Sequence, residues 1–174
     1  LLATPLQLAY ATAVLANRGR MIRPRLLRGL EDPGSGVITN STQQVGLPLE
    51  STDPNNWSQI IQAMELVLHG PRGTARASGQ NTPYQIAGKT GTAQIVGIPQ
   101  DRSQVKELPE ELRDHALFIA FAPVEQPRIA IAVVVENGGS GSRSAAPIAR
   151  KIMDYYFIHR LKRASLARKA HEFG

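Results

Sequence analysis

Apolar positions near the start of the chain recur at helical spacing. Leu8, Ala11, Thr12 and Leu15 lie three or four apart, the separation that brings side chains to one helix face. Thr4-Pro5 opens this segment with a hydroxyl that can accept from an orphan backbone N–H. The proline stands where its missing N–H does no harm. Asn17-Arg18-Gly19 ends the helix. From Arg20 to Leu30 the pattern is extended, and Pro24 blocks a helix. Residues 31–50, rich in Gly, Ser, Thr and Pro, read as loop with at most short strands. A second helix is expected between Asp53-Pro54 and Gly70-Pro71. Its Trp57, Ile60, Ile61, Met64, Val67 and Leu68 form a broad apolar stripe of the kind that packs a core.

Beyond residue 85 the period changes. Ile86 to Val96 reads as a strand with two awkward glycines, and residues 97–114 as a polar, exposed loop. Ala116 to Ala122 and Ile129 to Glu136 are strands joined by Pro123 to Pro127. Their near-continuous apolar character predicts burial on both faces of the sheet. Asn137 to Arg143 is a Gly/Ser loop. A long helix follows, with Ala145, Ile148, Ala149, Ile152, Met153, Tyr156 and Phe157 on one face. The expected fold is α/β in the α+β sense, an antiparallel sheet flanked by helices. Lys89 to Gln94 should form an edge strand beside Ala116 to Ala122, which pairs in turn with Ile129 to Glu136. Residues 1–160 make up this structural portion, and 161–174 a basic tail.

Composition narrows the picture. A chain of 174 residues with 42% apolar content can bury a real core. The longest clean apolar runs, Ile129 to Val135 among them, are far short of the roughly 20 residues a membrane span needs. No signal-peptide pattern opens the chain, and a helix begins within four residues of Leu1, as in a segment of a longer protein. The absence of cysteine excludes disulfides and thiolate metal sites. The net charge of +6 is concentrated at Arg18, Arg20, Arg23, Arg25 and Arg28, and between Arg150 and Lys169. Neither cluster has a reader motif, so both read as solvated basic faces, and no nucleic-acid partner is expected. His69, His115, His159 and His171 lack metal-ligand spacing, and His115, ahead of a buried strand, reads as a structural residue. No metal and no cofactor are expected. Asn137 to Ser142 has the glycines of a phosphate cradle but no following Gly-Lys-Ser/Thr, and reads as a connection.

The chemistry sits at Lys89-Thr90-Gly91-Thr92. Along a strand Lys89 and Gly91 share one face, and Thr90 and Thr92 the other. Gly91 weakens a strand, which calls for a ligand or another backbone approaching closely. One ammonium beside two hydroxyls suits a carboxylate. Around this motif lie Thr4-Pro5-Leu6-Gln7-Leu8-Ala9, Gly73-Thr74-Ala75, Ile86-Ala87-Gly88 and Thr92-Ala93-Gln94. Downstream come Asp114-His115-Ala116-Leu117-Phe118-Ile119-Ala120-Phe121-Ala122-Pro123 and Ala145-Ala146-Pro147-Ile148. Together these blocks resemble the C-terminal part of the transpeptidase domain of a class B penicillin-binding protein. Leu112-Arg113-Asp114-His115-Ala116 is similar to the cell-elongation type, penicillin-binding protein 2.

The resemblance implies a parent that cross-links peptidoglycan stem peptides through a serine acyl-enzyme and binds β-lactams at the periplasmic face of the bacterial inner membrane. It implies that Lys89 is the catalytic lysine, that Thr90, Gly91 and Thr92 bind substrate, and that the Thr92 backbone N–H serves the oxyanion hole. Its implied partners are stem peptides, β-lactams, an N-terminal part of the same protein and membrane cell-elongation proteins. Two departures stand out. The family's Ser-x-Asn motif is absent. The single Ser-x-x-Lys, Ser103-Gln104-Val105-Lys106, follows the lysine strand within a polar loop, where no buried helix would place a lysine one turn after the serine. The nucleophile is therefore expected upstream, and this chain alone is expected to be inactive. A D,D-carboxypeptidase, a serine β-lactamase or a non-catalytic penicillin-recognising sensor shares the same strand, and all three stay open here.

Overall fold

A computed structural model describes residues 2–51, 53, 55–94 and 109–160, with 159 and 160 as backbone. Helix α1 (Pro5–Ala16) begins where Thr4 accepts from the Gln7 N–H at 3.2 Å, while the Gln7 side chain accepts from the Thr4 N–H at 2.8 Å. This reciprocal capping satisfies two orphan donors at once. The extended stretch after it makes one bridge, Ile22 to Val45, and a short hairpin of β1 (Gly29–Glu31) and β2 (Ile38–Asn40). Asp32 ties the hairpin turn by accepting from the Gly34 and Ser35 N–H groups. Arg18, Arg23 and Arg25 bond Ser58, Gln44 and Ser41, so part of the first basic cluster fastens this exposed segment. Helix α2 (Asn55–His69) follows Asp53, whose carboxylate accepts from the Asn55 N–H. Its Ile61, Met64 and Leu68 are buried, whereas Ile60 is exposed. A short α3 (Arg76–Gly79) leads into the main sheet.

Strands β3 (Ala87–Ala93), β4 (His115–Ala122) and β5 (Ile129–Val135) form an antiparallel sheet in the order β3-β4-β5. Lys89 stands opposite Ile119, Thr90 opposite Phe118, and Phe118 opposite Val133. The expected edge position of the Lys-Thr-Gly-Thr strand holds, with Gln94 just past its end. Helix α4 (Ala146–Asp154) is entered through a wide helical turn at Gly141–Ala145 and continues as another over Tyr155–Arg160. The Gly/Ser loop is thus shorter than its composition suggests. Helical geometry begins at Gly141, where the absence of a side chain lets the turn settle on the sheet backbone.

Two apolar clusters hold the layers together. On one face Ala116, Phe118, Ala120 and Ala122 pack with Ala145, Ala146, Ala149 and Met153 around α4, and with Leu68 and Ile86. On the other, Phe121, Ala87 and Ala130 meet Ala16 of α1 and Ile61 and Met64 of α2. The expectation of burial on both faces therefore fails over part of the sheet. Leu117 and Ile119 are half-buried, and every β5 residue is half-buried or exposed. The reason is unequal cover. On one face α4 buries Ala116, Phe118, Ala120 and Ala122 of β4 but leaves β5 half-covered, while α1 and α2 reach the opposite face around Phe121.

The second basic cluster also needs correction at its first residue. Arg150 is not solvated: it pairs with Asp154 at 2.8 Å and donates to the carbonyls of Ser78, Gln80 and Asn81. Tyr84 donates to the other Asp154 oxygen at 2.6 Å. This network clamps the α3–β3 connection onto α4. The expected tail, 161–174, lies outside the described residues.

Burial, then the hydrogen bond to Asp154, pushes the Tyr84 phenol well above its ordinary value of 10.0. A phenol held protonated in the fold contributes stability that is complete below about pH 10 and is lost as pH rises towards the folded value. The wild-type advantage over Tyr84→Phe in urea midpoint should stay constant up to about pH 9 and shrink above about pH 10. An advantage that stays constant beyond that pH would refute the linkage.

Candidate functional site

The site is built on β3, which among the described residues has β4 on one side only. Two contacts reveal which backbone groups turn away from β4. The Ile86 N–H goes to His69 Nε2 at 3.0 Å, and the Thr90 carbonyl accepts from Lys89 Nζ at 2.8 Å. In an antiparallel pair the N–H and C=O of one residue point to the same side, and the side alternates. The outward set is therefore Ile86, Gly88, Thr90 and Thr92. The Thr92 N–H lies on the open edge of the sheet.

Side-chain alternation follows the β3–β4 register. Lys89 and Gly91 share the face of Ile119 and Leu117, while Thr90 and Thr92 share that of Phe118 and Ala116. Lys89 and Thr92 are exposed, and Thr90 and Gly91 are partly covered. Among the described residues no carboxylate pairs with the Lys89 ammonium, which rests on the Thr90 carbonyl. The Thr90 hydroxyl lies 3.2 Å from that of Thr74, in the loop between α2 and α3. An ammonium, hydroxyls and outward N–H groups along one open edge are a donor set for anionic and carbonyl oxygens.

Gly88 and Gly141 are required by their neighbours rather than by turn geometry. A Cβ on Gly88 would come within 2.7 Å of the Phe118 ring. A Cβ on Gly141 would fall on the Leu117 carbonyl oxygen and within 2.6 Å of the Gly91 oxygen. Backbone does approach closely at Gly91, as its place in a strand implied, and the approaching segment is the start of the C-terminal helix. A Cβ on Gly91 itself would meet only Leu117 Cβ at 3.2 Å, so the Lys89 side of that glycine is open.

The other candidates fall out as follows. His115 accepts from the Asn137 N–H at 3.0 Å and His69 from the Ile86 N–H, both structural contacts. Among the described residues no cluster could hold a metal ion. Ser103 to Lys106 and His171 lie outside the described residues, as does the side chain of His159. Neither the Gly141 packing nor the Thr74–Thr90 contact is announced by local sequence. The only signal for the first is a glycine inside a Gly/Ser run.

The profile of the penicillin binding protein transpeptidase domain matches residues 1–154. The chain belongs to the penicillin-binding protein transpeptidase family. It is 43% identical over 162 residues to the peptidoglycan D,D-transpeptidase MrdA of Acinetobacter baumannii, covering 92% of this chain and 23% of that protein. Among solved structures it is similar to Pseudomonas aeruginosa PBP2 in complex with WCK 5153, with 42% identity and a TM-score of 0.71. That match covers 88% of this chain and 29% of the other. It is also similar to Helicobacter pylori PBP2 in its complex with MreC, with 28% identity and a TM-score of 0.69, covering 89% of this chain and 25% of the other. The chain spans about a quarter of the length of the curated relatives it matches. The family's serine β-lactamase-like fold accounts for the sheet with helices on both faces.

Replacing Gly141 with alanine should cost about 1–3 kcal/mol, because the new methyl meets backbone that cannot move aside. Gly34→Ala, whose Cβ would meet nothing closer than 3.4 Å, should cost under about 0.5 kcal/mol. Equal losses in thermal unfolding would show that the helix start is free to shift.

Proposed function

We propose that the chain is the C-terminal portion of the transpeptidase domain of a PBP2-type peptidoglycan D,D-transpeptidase acting at the periplasmic face of the inner membrane. The observation that carries this reading is the Lys-Thr-Gly-Thr sequence on the open edge of β3, with its hydroxyls on one face and its ammonium on the other. In the full-length protein a serine from another segment attacks the D-Ala-D-Ala amide carbonyl of a stem peptide. D-Alanine leaves with the amide nitrogen, and an amine of a neighbouring stem then resolves the acyl-enzyme. A β-lactam acylates the same serine by opening its ring amide.

On this reading Lys89 stays cationic and raises the positive potential around the nucleophile. The Thr90 and Thr92 hydroxyls bind the terminal carboxylate of the donor peptide. The outward Thr92 N–H supplies one of two oxyanion donors, a kind of group whose loss costs about 2.7–4 kcal/mol of transition-state stabilisation. Gly91, open on its Lys89 side, lets the substrate backbone lie along the strand. The described residues hold no Ser-x-x-Lys helix, and the binding half of the chemistry is what this segment contributes. The H. pylori PBP2–MreC complex supports membrane elongation proteins as partners of the full-length protein.

In the full-length protein, Lys89→Ala should slow acylation by penicillin by about 100-fold or more. Its thermal transition should move little, because the side chain is exposed. Labelling at the wild-type rate would remove Lys89 from the chemistry. Residues 1–174 expressed alone and incubated with fluorescent penicillin should acquire no covalent label, on Ser103 or elsewhere, because catalytic groups that act as a unit leave no proportional activity when one is missing. A stable adduct would place the nucleophile within this chain.

A further inference from the structure

The Thr74 hydroxyl, 3.2 Å from that of Thr90, is delivered by a loop with little freedom. The Gly70 N–H bonds the Leu66 carbonyl at 3.0 Å, the Gly73 N–H bonds that of Gly70 at 3.1 Å, and the Ala75 N–H bonds that of Val67 at 2.9 Å. A Cβ on Gly73 would come within 2.6 Å of the Leu66 oxygen, so this glycine lets the loop sit down on the end of α2. Ala75 is 2% exposed and packs in the same cluster as Leu68 and Ile86. Thr74 itself is exposed. Its backbone is anchored on both sides, and its side chain projects beside the open edge of β3.

A hydroxyl has one proton and two lone pairs. Between Thr74 and Thr90 the hydrogen bond can therefore run either way, and only one direction serves an anion. If Thr90 donates to Thr74, its single proton is spent inside the protein. If Thr74 donates to Thr90, the Thr90 proton is free for an incoming oxygen. The bond behind it also polarises the hydroxyl and makes it a better donor. An arriving carboxylate selects the second arrangement.

We propose that Thr74 is a positioning residue, which donates to Thr90 Oγ1 and so commits the Thr90 hydroxyl to the carboxylate of the substrate or β-lactam. The inference rests on the reading of Thr90 as a carboxylate ligand. The test measures acylation of the full-length protein by a penicillin bearing its free carboxylate and by the methyl ester of the same penicillin. The variants are Thr74→Val, Thr74→Ser, Thr90→Val and the Val/Val pair. Valine is isosteric with threonine, and Thr74 is exposed, so folding is preserved.

Thr74→Val should slow acylation by the free acid about fivefold, the scale of one neutral hydrogen bond, while leaving the ester's rate unchanged. Thr74→Ser should stay within about twofold of wild type, because it keeps the donor. The pair should be no slower than Thr90→Val alone. If Thr90→Val is slow with the free acid but Thr74→Val is not, the proposal falls and the carboxylate reading stands. If Thr74→Val slows acid and ester alike, the residue acts through loop packing, and the proposal also falls. If Thr90→Val itself keeps the wild-type rate, the reading of Thr90 fails and takes this inference with it.

Discussion

The register between β3 and β4 is the constraint on which the site depends. A slip of one residue would exchange the faces of Lys89 and Gly91 with those of Thr90 and Thr92 and would turn the other set of N–H groups outward. Four contacts of different kinds oppose it. Gly88 lies under the Phe118 ring with no room for a side chain, and Gly141 rests on the Gly91–Leu117 rung. The Ile86 N–H is held by His69, and the Val124 N–H by the Gln85 carbonyl. A slipped strand would place Ala87 or Lys89 under Phe118, where a Cβ does not fit. Two positions that admit no side chain thus help to fix the register.

Small residues recur on the α4 side of the sheet for the same reason. Ala116, Ala120 and Ala122 on β4 face Ala145, Ala146 and Ala149 at the start of the helix, all fully buried. Alanine against alanine lets the helix axis approach the sheet closely, and Phe118 and Met153 fill the space that remains. Close approach also brings the helix start to Gly91. The position of β3 and the packing of the C-terminal helix are thus one problem. The opposite face, with Leu117 and Ile119 half-buried and Val134 exposed, is less complete, in keeping with a chain that spans about a quarter of its relatives. Apolar surface of this kind is where further protein packs.

Much of this was legible in the residues, and the division is physical. Period and capping chemistry are local, so Thr4-Pro5 at the start of α1, the α2 stripe, the three strands and the edge position of Lys89 could all be read directly. Burial was not, because it depends on which helix covers which face, and an apolar run such as Ile129 to Val135 looks the same when only half covered. Arg150 read as part of a basic run because its partners Ser78, Gln80 and Asn81 lie about seventy positions away. The Thr74–Thr90 contact spans sixteen residues across α3 and its connection to β3, and has no spacing rule to announce it. The motif residues were visible as chemistry, but the groups that hold them were visible only as ordinary threonine, glycine and arginine.

An open strand edge is a hazard as well as a binding surface, since its unpaired N–H and C=O groups invite any extended chain to add on. Here the edge is closed at its start, where His69 occupies the Ile86 N–H and the α2–α3 loop stands beside Thr90. Lys89 projects a charge from the open stretch and occupies the Thr90 carbonyl, both of which disfavour pairing with an apolar strand. A ligand that brings its own anion meets the opposite balance. The same ammonium attracts an anion, and its bond to the Thr90 carbonyl is one that a carboxylate could exchange for a charge-assisted one. The charge that protects the edge from apolar strands is thus the one that favours an anion there.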